Sequence, residues 1–169
     1  MDEFDRRLLG ALIDDAANSY ESLGQKVGLS PPAVHARVKK LREAGTITRT
    51  TVDVDAAAIG KPFLAFVFVD FVGWGKSKKL MDIERFPEVE EIHSVAGDSG
   101  MIVKVRTADA HALEQFLAEL YQFNGVQTTK SYIVLSTFLE RGTQAEITNN
   151  WSVDLLPDDA PSGPGESTT

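Results

Sequence analysis

The amino-acid sequence predicts an α+β protein, in which a helix-turn-helix domain is followed by a ferredoxin-like βαββαβ sheet domain. Two observations support this class. Apolar residues recur at helical spacing through residues 1–50, whereas from Lys61 they alternate as in β-strands, with two helical stretches in between. A chain of 169 residues has room for both domains. We therefore expect a linker over 51–60, the sheet domain over 61–141 and a C-terminal extension over 142–169.

The first two predicted helices run from Asp2 to Asp14 and from Tyr20 to Val27. Gly28 follows the second helix and can take the left-handed conformation common at helix C-termini. The first helix has one apolar face, so it can pack across the helices that follow and close a three-helix core. The residues of this face are Phe4, Leu8, Leu9, Leu12 and Ile13.

A third helix is predicted to begin after Ser30, a preferred N-cap residue, with Pro31 at the first helical position, where a missing N–H costs nothing. Gly45 ends this helix. Its apolar stripe falls at positions i, i+4 and i+7 and consists of Val34, Val38 and Leu41.

The rest of the third helix is polar or small, as a helix inserted into the major groove of DNA requires. Between Pro31 and Arg49 there are five basic residues and one acid, Glu43, in a chain whose formal net charge is −8. This local positive charge favours binding to phosphates, although a structural hairpin with a solvated basic face would show the same pattern. The candidate DNA-binding residues are Ser30, Pro32, Ala33, His35, Ala36, Arg37, Lys39, Lys40, Arg42 and Arg49.

The stretch from Thr46 to Val54 is rich in β-branched residues, which predicts a short strand before the connector. The sequence contains no cysteine, so disulfides and cysteine zinc sites are excluded and a reducing compartment is favoured. The N-terminus does not resemble a signal peptide, and the apolar run from Phe63 to Val69 is far shorter than the ~20 residues that span a bilayer. We expect a cytoplasmic protein with no membrane association and no cofactor.

The second domain is predicted to have the order strand, helix, strand, strand, helix, strand. The strands are expected over Phe63–Val72, Val89–Ala96, Met101–Arg106 and Val126–Leu139. The helices are expected over Ser77–Phe86 and after a cap at Thr107, the latter with Leu113, Phe116, Leu117 and Leu120 on one face. This order predicts two helices on one face of a four-stranded antiparallel sheet.

The first strand of the sheet domain has two apolar faces. Phe63, Ala65, Val67, Val69 and Phe71 lie on one face, and Leu64, Phe66 and Phe68 lie on the other. Because two helices cover only one side of the sheet, the second face needs a partner, and a sheet-on-sheet homodimer would supply it. Alternatively, the C-terminal segment folds back over this face with Trp151, Val153, Leu155 and Leu156. From Pro157 onward the composition is that of a disordered acidic tail.

Several motifs stand in the order found in one family of regulators. They are Asp5 and Arg6, then Leu29, Ser30 and Pro31, then Arg37, Val38, Leu41, Gly45 and Ile47, and finally the βαββαβ pattern. In this combination the chain from Met1 to Leu139 resembles the Lrp/AsnC, or feast/famine, transcription regulators. The resemblance implies a winged-type helix-turn-helix, a hinge strand and a sheet domain that builds homodimers and often octamers. It also implies that an amino acid or related metabolite binds between dimers, near the turn that joins the second and third strands.

That turn departs from the family pattern. The family commonly has Gly-Asp-x-Asp followed by an aromatic residue, whereas Gly100 and Met101 stand here in place of the second acid and the aromatic. A carboxylate there would suit an ammonium group, so its loss predicts weak binding of common amino acids. Asp98 suits a plain hairpin turn and a ligand contact equally well. The candidate effector-binding residues are Gly97, Asp98, Ser99, Gly100 and Met101.

The sequence gives little support to an enzyme. Gly75–Ser77 stand where a phosphate-binding loop would end, but Asp70 occupies the position of its first glycine. His35, His93 and His111 lie on three different elements without metal-ligand spacing. An amino-acid-binding enzyme would also leave the basic helix unexplained. We predict a regulator that binds double-stranded DNA. The alternative is an architectural protein that bends or wraps DNA, since the third helix offers no Asn or Gln for adenine contacts.

Overall fold

The computed structural model describes residues 1–72 and 82–148. The described residues form two compact units, one made of residues 1–50 with 141–148, the other of residues 51–72 with 82–140. The inclusion of the segment from Arg141 in the first unit was not expected.

The first unit contains three helices, α1 (Glu3–Asp14), α2 (Tyr20–Val27) and α3 (Pro31–Glu43), each within a residue of the predicted bounds. Side-chain capping explains this agreement for α1 and α2, whereas Ser30 before α3 makes no side-chain cap hydrogen bond and Pro31 marks the first position of that helix. Asp2 accepts a hydrogen bond from the Asp5 N–H at 2.8 Å, and the Asp5 carboxylate accepts one from the Asp2 N–H at 3.1 Å, which forms a capping box. Ser19 caps α2, and Gly28 after it has a φ of +75°, as predicted for a left-handed helix end.

The three helices pack around one apolar core. Its buried residues are Leu8, Leu23, Val27, Val34, Val38 and Leu41, and they include the whole predicted stripe of α3. Burying each such side chain stabilises the domain by about 1.5–3 kcal/mol. In α1 only the middle of the predicted face is buried, because Phe4 and Ile13 are exposed.

The predicted strand from Thr46 to Val54 does not form, which corrects the sequence analysis. Val52 and Val54 are exposed, and no described strand pairs with this stretch. β-Branched residues favour a strand only where a neighbouring strand satisfies the backbone hydrogen bonds, and this segment has no such neighbour in the described chain.

The second unit is a four-stranded antiparallel sheet of β1 (Phe63–Phe71), β2 (Val89–Ser94), β3 (Met101–Thr107) and β4 (Val126–Ile133), in the order β2-β3-β1-β4. A helix, α4 (Ala110–Leu120), connects β3 to β4. This is the predicted ferredoxin-like topology. The first half of the other predicted helix, Ser77–Phe86, lies outside the described residues, and its second half contains a 3-10 turn over Asp82–Arg85.

Three predicted boundaries in this unit need correction. Asp109, not Thr107, caps α4, because its side chain accepts the Ala112 N–H at 2.8 Å while Thr107 belongs to β3. β2 ends at Ser94, two residues early. β4 ends at Ile133 rather than Leu139. In β4 the strand stops soon after its partner β1 begins, since the ladder pairs Ile133 with Ala65.

The sheet has one covered face and one open face. The covered face and α4 form a buried core of Ala65, Val67, Val69, Ile83, Met101, Val103, Val105, Leu113, Phe116 and Leu120. The open face, defined here by the side chains that alternate with these on the strands, includes Leu64, Phe66 and Phe68 of β1, Lys104 and Arg106 of β3, and Lys130 and Tyr132 of β4. The two-faced pattern of β1 predicted from the sequence is therefore present.

The segment after Arg141 packs against α1 within the first unit. The Arg6 guanidinium donates to the Ala145 carbonyl at 3.1 Å, and Glu146 lies beside Gly10. The alternative in which Trp151 and the residues after it cover the sheet concerns residues outside the described part of the chain. Within the described parts of the chain, we find no helix with the length and apolar character needed to cross a bilayer.

Candidate nucleic-acid interface and effector site

The outer face of α3 is open to solvent. Pro32, Ala36 and Lys39 lie opposite the buried stripe of the helix, and all three are exposed. Of the other predicted DNA-binding residues, Ser30, His35, Lys40, Arg42 and Arg49 are exposed, and Ala33 is half-buried. The His35 ring also packs edge-on against Tyr20 of α2, with 5.4 Å between ring centroids. Small side chains in the middle of this face would let the helix approach base edges, with basic side chains around them.

Arg37 occupies a different position from the other basic residues of α3. Its guanidinium donates to Asp2 at 2.7 Å and to Asp5 at 2.6 Å, and it lies 5.5 Å from the centroid of the Phe4 ring. We call this group the Arg37 clasp. It ties α3 to the start of α1, so the structure places Arg37 in domain packing rather than on the outer face. Sequence reasoning counted it as a DNA contact because the two acids lie far away in the chain.

Electrostatics in the clasp favour its charged form. The pKa of Asp5 is lowered by the hydrogen bond from the Asp2 N–H and then by the Arg37 guanidinium. The pKa of Asp2 is lowered in the same way by the Asp5 N–H and by Arg37. Both carboxylates are therefore ionised at neutral pH and balance the Arg37 charge. The net positive charge of α3 then resides on Lys39, Lys40 and Arg42, with Glu43 as the one acid at its end.

Gly24 sets the distance between α2 and the turn that leads into α3. A Cβ atom at this position would lie 2.4 Å from the Leu29 carbonyl oxygen. The Leu29 N–H donates back to the Gly24 carbonyl at 2.9 Å, so the turn folds directly onto this residue. Sequence reasoning missed Gly24, although a glycine inside a predicted helix was a visible signal of close backbone approach.

The predicted effector turn follows β2 and leads into β3. Gly97 and Asp98 are exposed, Gly100 is half-buried and Ser99 is buried at 7% exposure. Met101 belongs to the buried core, where it pairs with Val69, so its side chain is directed away from solvent. This placement differs from the prediction that the Met101 side chain contacts an effector.

Phe71 of β1 fills the space beside Gly100. A Cβ atom on Gly100 would lie 3.0 Å from two atoms of the Phe71 ring. A larger side chain at position 100 would therefore have to displace this ring. The glycine that replaces the family's second acid is thus matched by an aromatic ring on the neighbouring strand.

An ionic cluster lies on the open face of the sheet. Lys104 and Arg106 of β3 both donate to Glu140, and Arg106 also donates to Glu90 at 2.7 Å. Hydrogen bonds from Lys104 and then Arg106 lower the pKa of Glu140. Burial opposes the Lys104 charge, but its bonds to Glu140 and Glu90 outweigh that effect and raise its pKa. The cluster lets two half-buried cations remain charged beside apolar residues.

Both units match described protein families. Residues 1–42 match the AsnC-type helix-turn-helix domain, and residues 77–144 match the Lrp/AsnC ligand binding domain. The chain is 32% identical over 140 residues to the HTH-type transcriptional regulator FL11 of Pyrococcus horikoshii, covering 83% of this chain and 93% of that protein. This chain belongs to the Lrp/AsnC family of transcriptional regulators. The family expected from the sequence motifs is confirmed.

Three further comparisons give similar results. Regulatory protein AsnC of Escherichia coli K12 is 31% identical over 147 residues, covering 83% of this chain and 94% of that protein. The structure of E. coli AsnC matches with a TM-score of 0.77 and 28% identity, covering 85% and 97% of the two chains. A complex of the Neisseria meningitidis regulator NMB0573 with L-Met matches in fold, with a TM-score of 0.76 and 22% identity over 83% and 94% of the chains.

The histidines of this Lrp/AsnC regulator do not converge. His93 on β2 lies 2.9 Å from Glu91, and His111 on α4 lies 3.3 Å from Glu114, while His35 is on α3 in the other unit. Within residues 1–72 and 82–148, no group of three or more metal-binding side chains comes together. The Gly75–Ser77 stretch lies outside the described residues.

Proposed function

We propose that this Lrp/AsnC regulator binds double-stranded DNA as a homodimer, with α3 in the major groove, and that a small metabolite bound to its sheet domain changes that binding. The observation that carries the proposal is the outer face of α3. It concentrates exposed basic side chains around small ones in a protein whose formal net charge is −8.

The exposed residues of α3 divide into two roles. Lys39, Lys40 and Arg42 have long cationic side chains that suit DNA phosphates, and Arg49 extends this set beyond the helix. His35 is the polar side chain of the outer face best suited to a base edge, and Pro32, Ala33, Ala36 and the exposed Ser30 allow close approach. Because this face has no bidentate Asn or Gln, DNA shape should contribute much of the specificity.

The open face of the sheet supports self-association. Phe66 and Tyr132 are 36% and 61% exposed, and after β4 the side chains of Leu135 and Phe138 are 95% and 97% exposed. Large apolar side chains at such exposure mark a protein contact surface. A second copy related by a two-fold axis would cover the open face of each sheet with the other. Members of the family often assemble four such dimers into an octamer, and we extend this arrangement to this chain.

The metabolite proposal rests on the ligand-binding domain and on the Gly97–Met101 turn. L-Met is bound by the N. meningitidis regulator that shares this fold, and we extend amino-acid binding, or binding of a related metabolite, to this chain. A ligand that favours one assembly state over another would alter DNA binding by a coupling of about 1–3 kcal/mol. We propose no catalytic role, and a DNA-bound regulator of this kind acts in the cytoplasm.

The competing function is an architectural protein without sequence preference. Selection of binding sites from random DNA, followed by a nuclease footprint on the best site, separates the two. A regulator should enrich a palindromic motif with half-sites about 10–10.5 base pairs apart, one helical turn. An architectural protein should enrich flexible sequence in general and protect DNA continuously, and that result would overturn the proposal.

A further inference from the structure

We infer that Asp70 is the cation-binding residue of the effector site, and that the ligand is a zwitterion whose ammonium group pairs with Asp70 while its carboxylate meets the Gly97–Gly100 turn. This inference rests on the proposed metabolite binding and assigns its chemistry. It differs from the expectation that Asp98, the acid within the turn, receives the ammonium group.

Asp70 has a buried carboxylate oxygen without a donor. Its Oδ1 atom is shielded from solvent, and no hydrogen-bond donor in the described chain reaches it. Burying a charged oxygen without a partner costs far more than an average hydrogen bond contributes, so such an atom requires an explanation. At the end of β1 that adjoins the effector turn, a ligand cation is an explanation that also serves the function.

Strand register places Asp70 next to the effector turn. Val69 of β1 pairs with Met101, the first residue of β3, and the antiparallel register continued by one position brings Asp70 beside Gly100, the last residue of the turn. In an antiparallel ladder, opposite positions are about 4.5–5.5 Å apart. The Phe71 ring against Gly100 shows independently that this end of β1 adjoins the turn.

A bulge lies at the same place. The pairing between β1 and β4 shifts register between Asp70 and Phe71, because Asp70 pairs with Thr128 and Phe71 with Val126. Bulges redirect side chains and are common next to binding sites. Strand alternation places the Asp70 side chain on the open face with Leu64, Phe66 and Phe68, while the Phe71 ring packs toward the core.

The turn offers the complementary half of the site. Among the described residues, the backbone N–H groups of Gly97, Asp98, Ser99 and Gly100 donate to no protein acceptor. A run of unpaired N–H groups in a turn is suited to an anion such as a ligand carboxylate. Free donors on one side and a donor-poor carboxylate on the other match the two charges of an amino acid.

The difference in burial between Asp70 and Asp98 indicates which of them binds the ammonium group of the ligand. Asp98 is exposed, so water and salt screen its attraction for an ammonium group. The Asp70 oxygen is shielded, and a charge-assisted hydrogen bond in that setting is much stronger. Asp70 should therefore dominate ligand affinity even though Asp98 lies within the turn.

The test is calorimetry on the full-length protein with the proteinogenic L-amino acids, one at a time, on wild type, Asp70→Asn and the matched control Asp98→Asn. We expect the amino acid that binds wild type to lose at least about tenfold in affinity with Asp70→Asn and less than about twofold with Asp98→Asn. The N-acetyl derivative and the methyl ester of that amino acid should both bind wild type weakly. Loss of affinity confined to Asp98→Asn, or no amino acid binding to wild type, would overturn the inference.

A thermal unfolding measurement distinguishes loss of a ligand contact from damage to the fold in Asp70→Asn. Without ligand, Asp70→Asn should unfold at the same or a higher temperature than wild type, because it removes the charge from a half-buried carboxylate whose shielded Oδ1 atom has no donor. A purely structural role would lower the unfolding temperature, and that outcome counts against the inference. Ligand-free Asp70→Asn should still bind DNA in a gel shift. If wild type itself fails to bind DNA, the proposed function fails instead.

Discussion

Two glycine-to-alanine substitutions in the helix-turn-helix domain should change stability in opposite directions. Gly24 in α2 and Gly10 in α1 are both helical, so each alanine gains about 0.8–1.0 kcal/mol of helix propensity. The atom nearest to the new Cβ decides whether the substitution raises or lowers the stability of the domain. At Gly24 it lies 2.4 Å from the Leu29 carbonyl oxygen, a backbone atom held in the turn. At Gly10 the nearest atom, 2.8 Å away, is the carboxylate end of the flexible Glu146 side chain.

The magnitude follows from these contacts. Carbon and oxygen atoms that are not bonded approach to about 3.3 Å, so the Gly24→Ala contact is about 0.9 Å too short and the turn before α3 must move. Overpacking of this kind costs up to about 3 kcal/mol, and subtracting the propensity gain leaves a net loss of about 2 kcal/mol. Gly10→Ala needs only a side-chain rotation and should stabilise the domain by about 0.5–1 kcal/mol.

Hydrogen exchange of α2 and α3 amides in the full-length protein measures these changes, because it reports the opening of one domain without assuming two-state unfolding of the whole chain. Gly24→Ala should speed exchange across both helices and weaken DNA binding, since it shifts α3. Gly10→Ala should slow exchange and leave DNA binding unchanged. Equal effects from the two substitutions, or a more stable Gly24→Ala, would refute the role assigned to Gly24.

Three further predictions concern other parts of the molecule. The Arg37 clasp contains carboxyl groups whose pKa values are depressed below the ordinary 3.8, so its stabilisation is complete above that value and is lost as pH falls through the depressed values. Asp5→Asn should therefore lose less helix stability than wild type on acid titration followed by circular dichroism, and parallel titration curves would count against the clasp. Phe66→Asp, on the open face, should give a folded monomer in light scattering, whereas Val67→Asp, in the buried core, should unfold the sheet domain; a dimeric Phe66→Asp would exclude the open face as the interface. Gly100→Asp should lower the thermal stability of the sheet domain because its Cβ meets an aromatic ring at 3.0 Å, and unchanged stability would show that this ring moves freely.

Sequence patterns predicted those elements whose signals are local. Ser30, Pro31 and Gly28 mark the ends of α2 and α3, and the structure places the helix ends there. The alternation in β1 likewise predicted its two faces, because side-chain direction in a strand depends on residue parity alone. These features need no knowledge of distant parts of the chain.

Features that depend on distant residues could not be predicted. The acids that bind Arg37 lie 35 and 32 positions earlier in the chain, so composition alone made Arg37 look like a free cation. The strand expected over Thr46–Val54 needed a pairing partner that its own residues do not specify. Asp70 was considered only as a mismatch to a phosphate-binding loop, because a missing donor becomes visible only when the neighbouring strands and the turn are placed.

The outer face of α3 is expected to hold DNA through Lys39 and Lys40. The most direct measurement is the salt dependence of DNA affinity for wild type and the Lys39→Ala/Lys40→Ala variant. The control is Arg85→Ala, which removes one cation, 76% exposed, from the sheet domain. Each lost phosphate contact lowers the slope of log affinity against log salt by about 0.9, so a dimer that loses four contacts should show a slope smaller by about 3.6. The control should keep the wild-type slope. An unchanged slope and affinity in the double variant would contradict the claim.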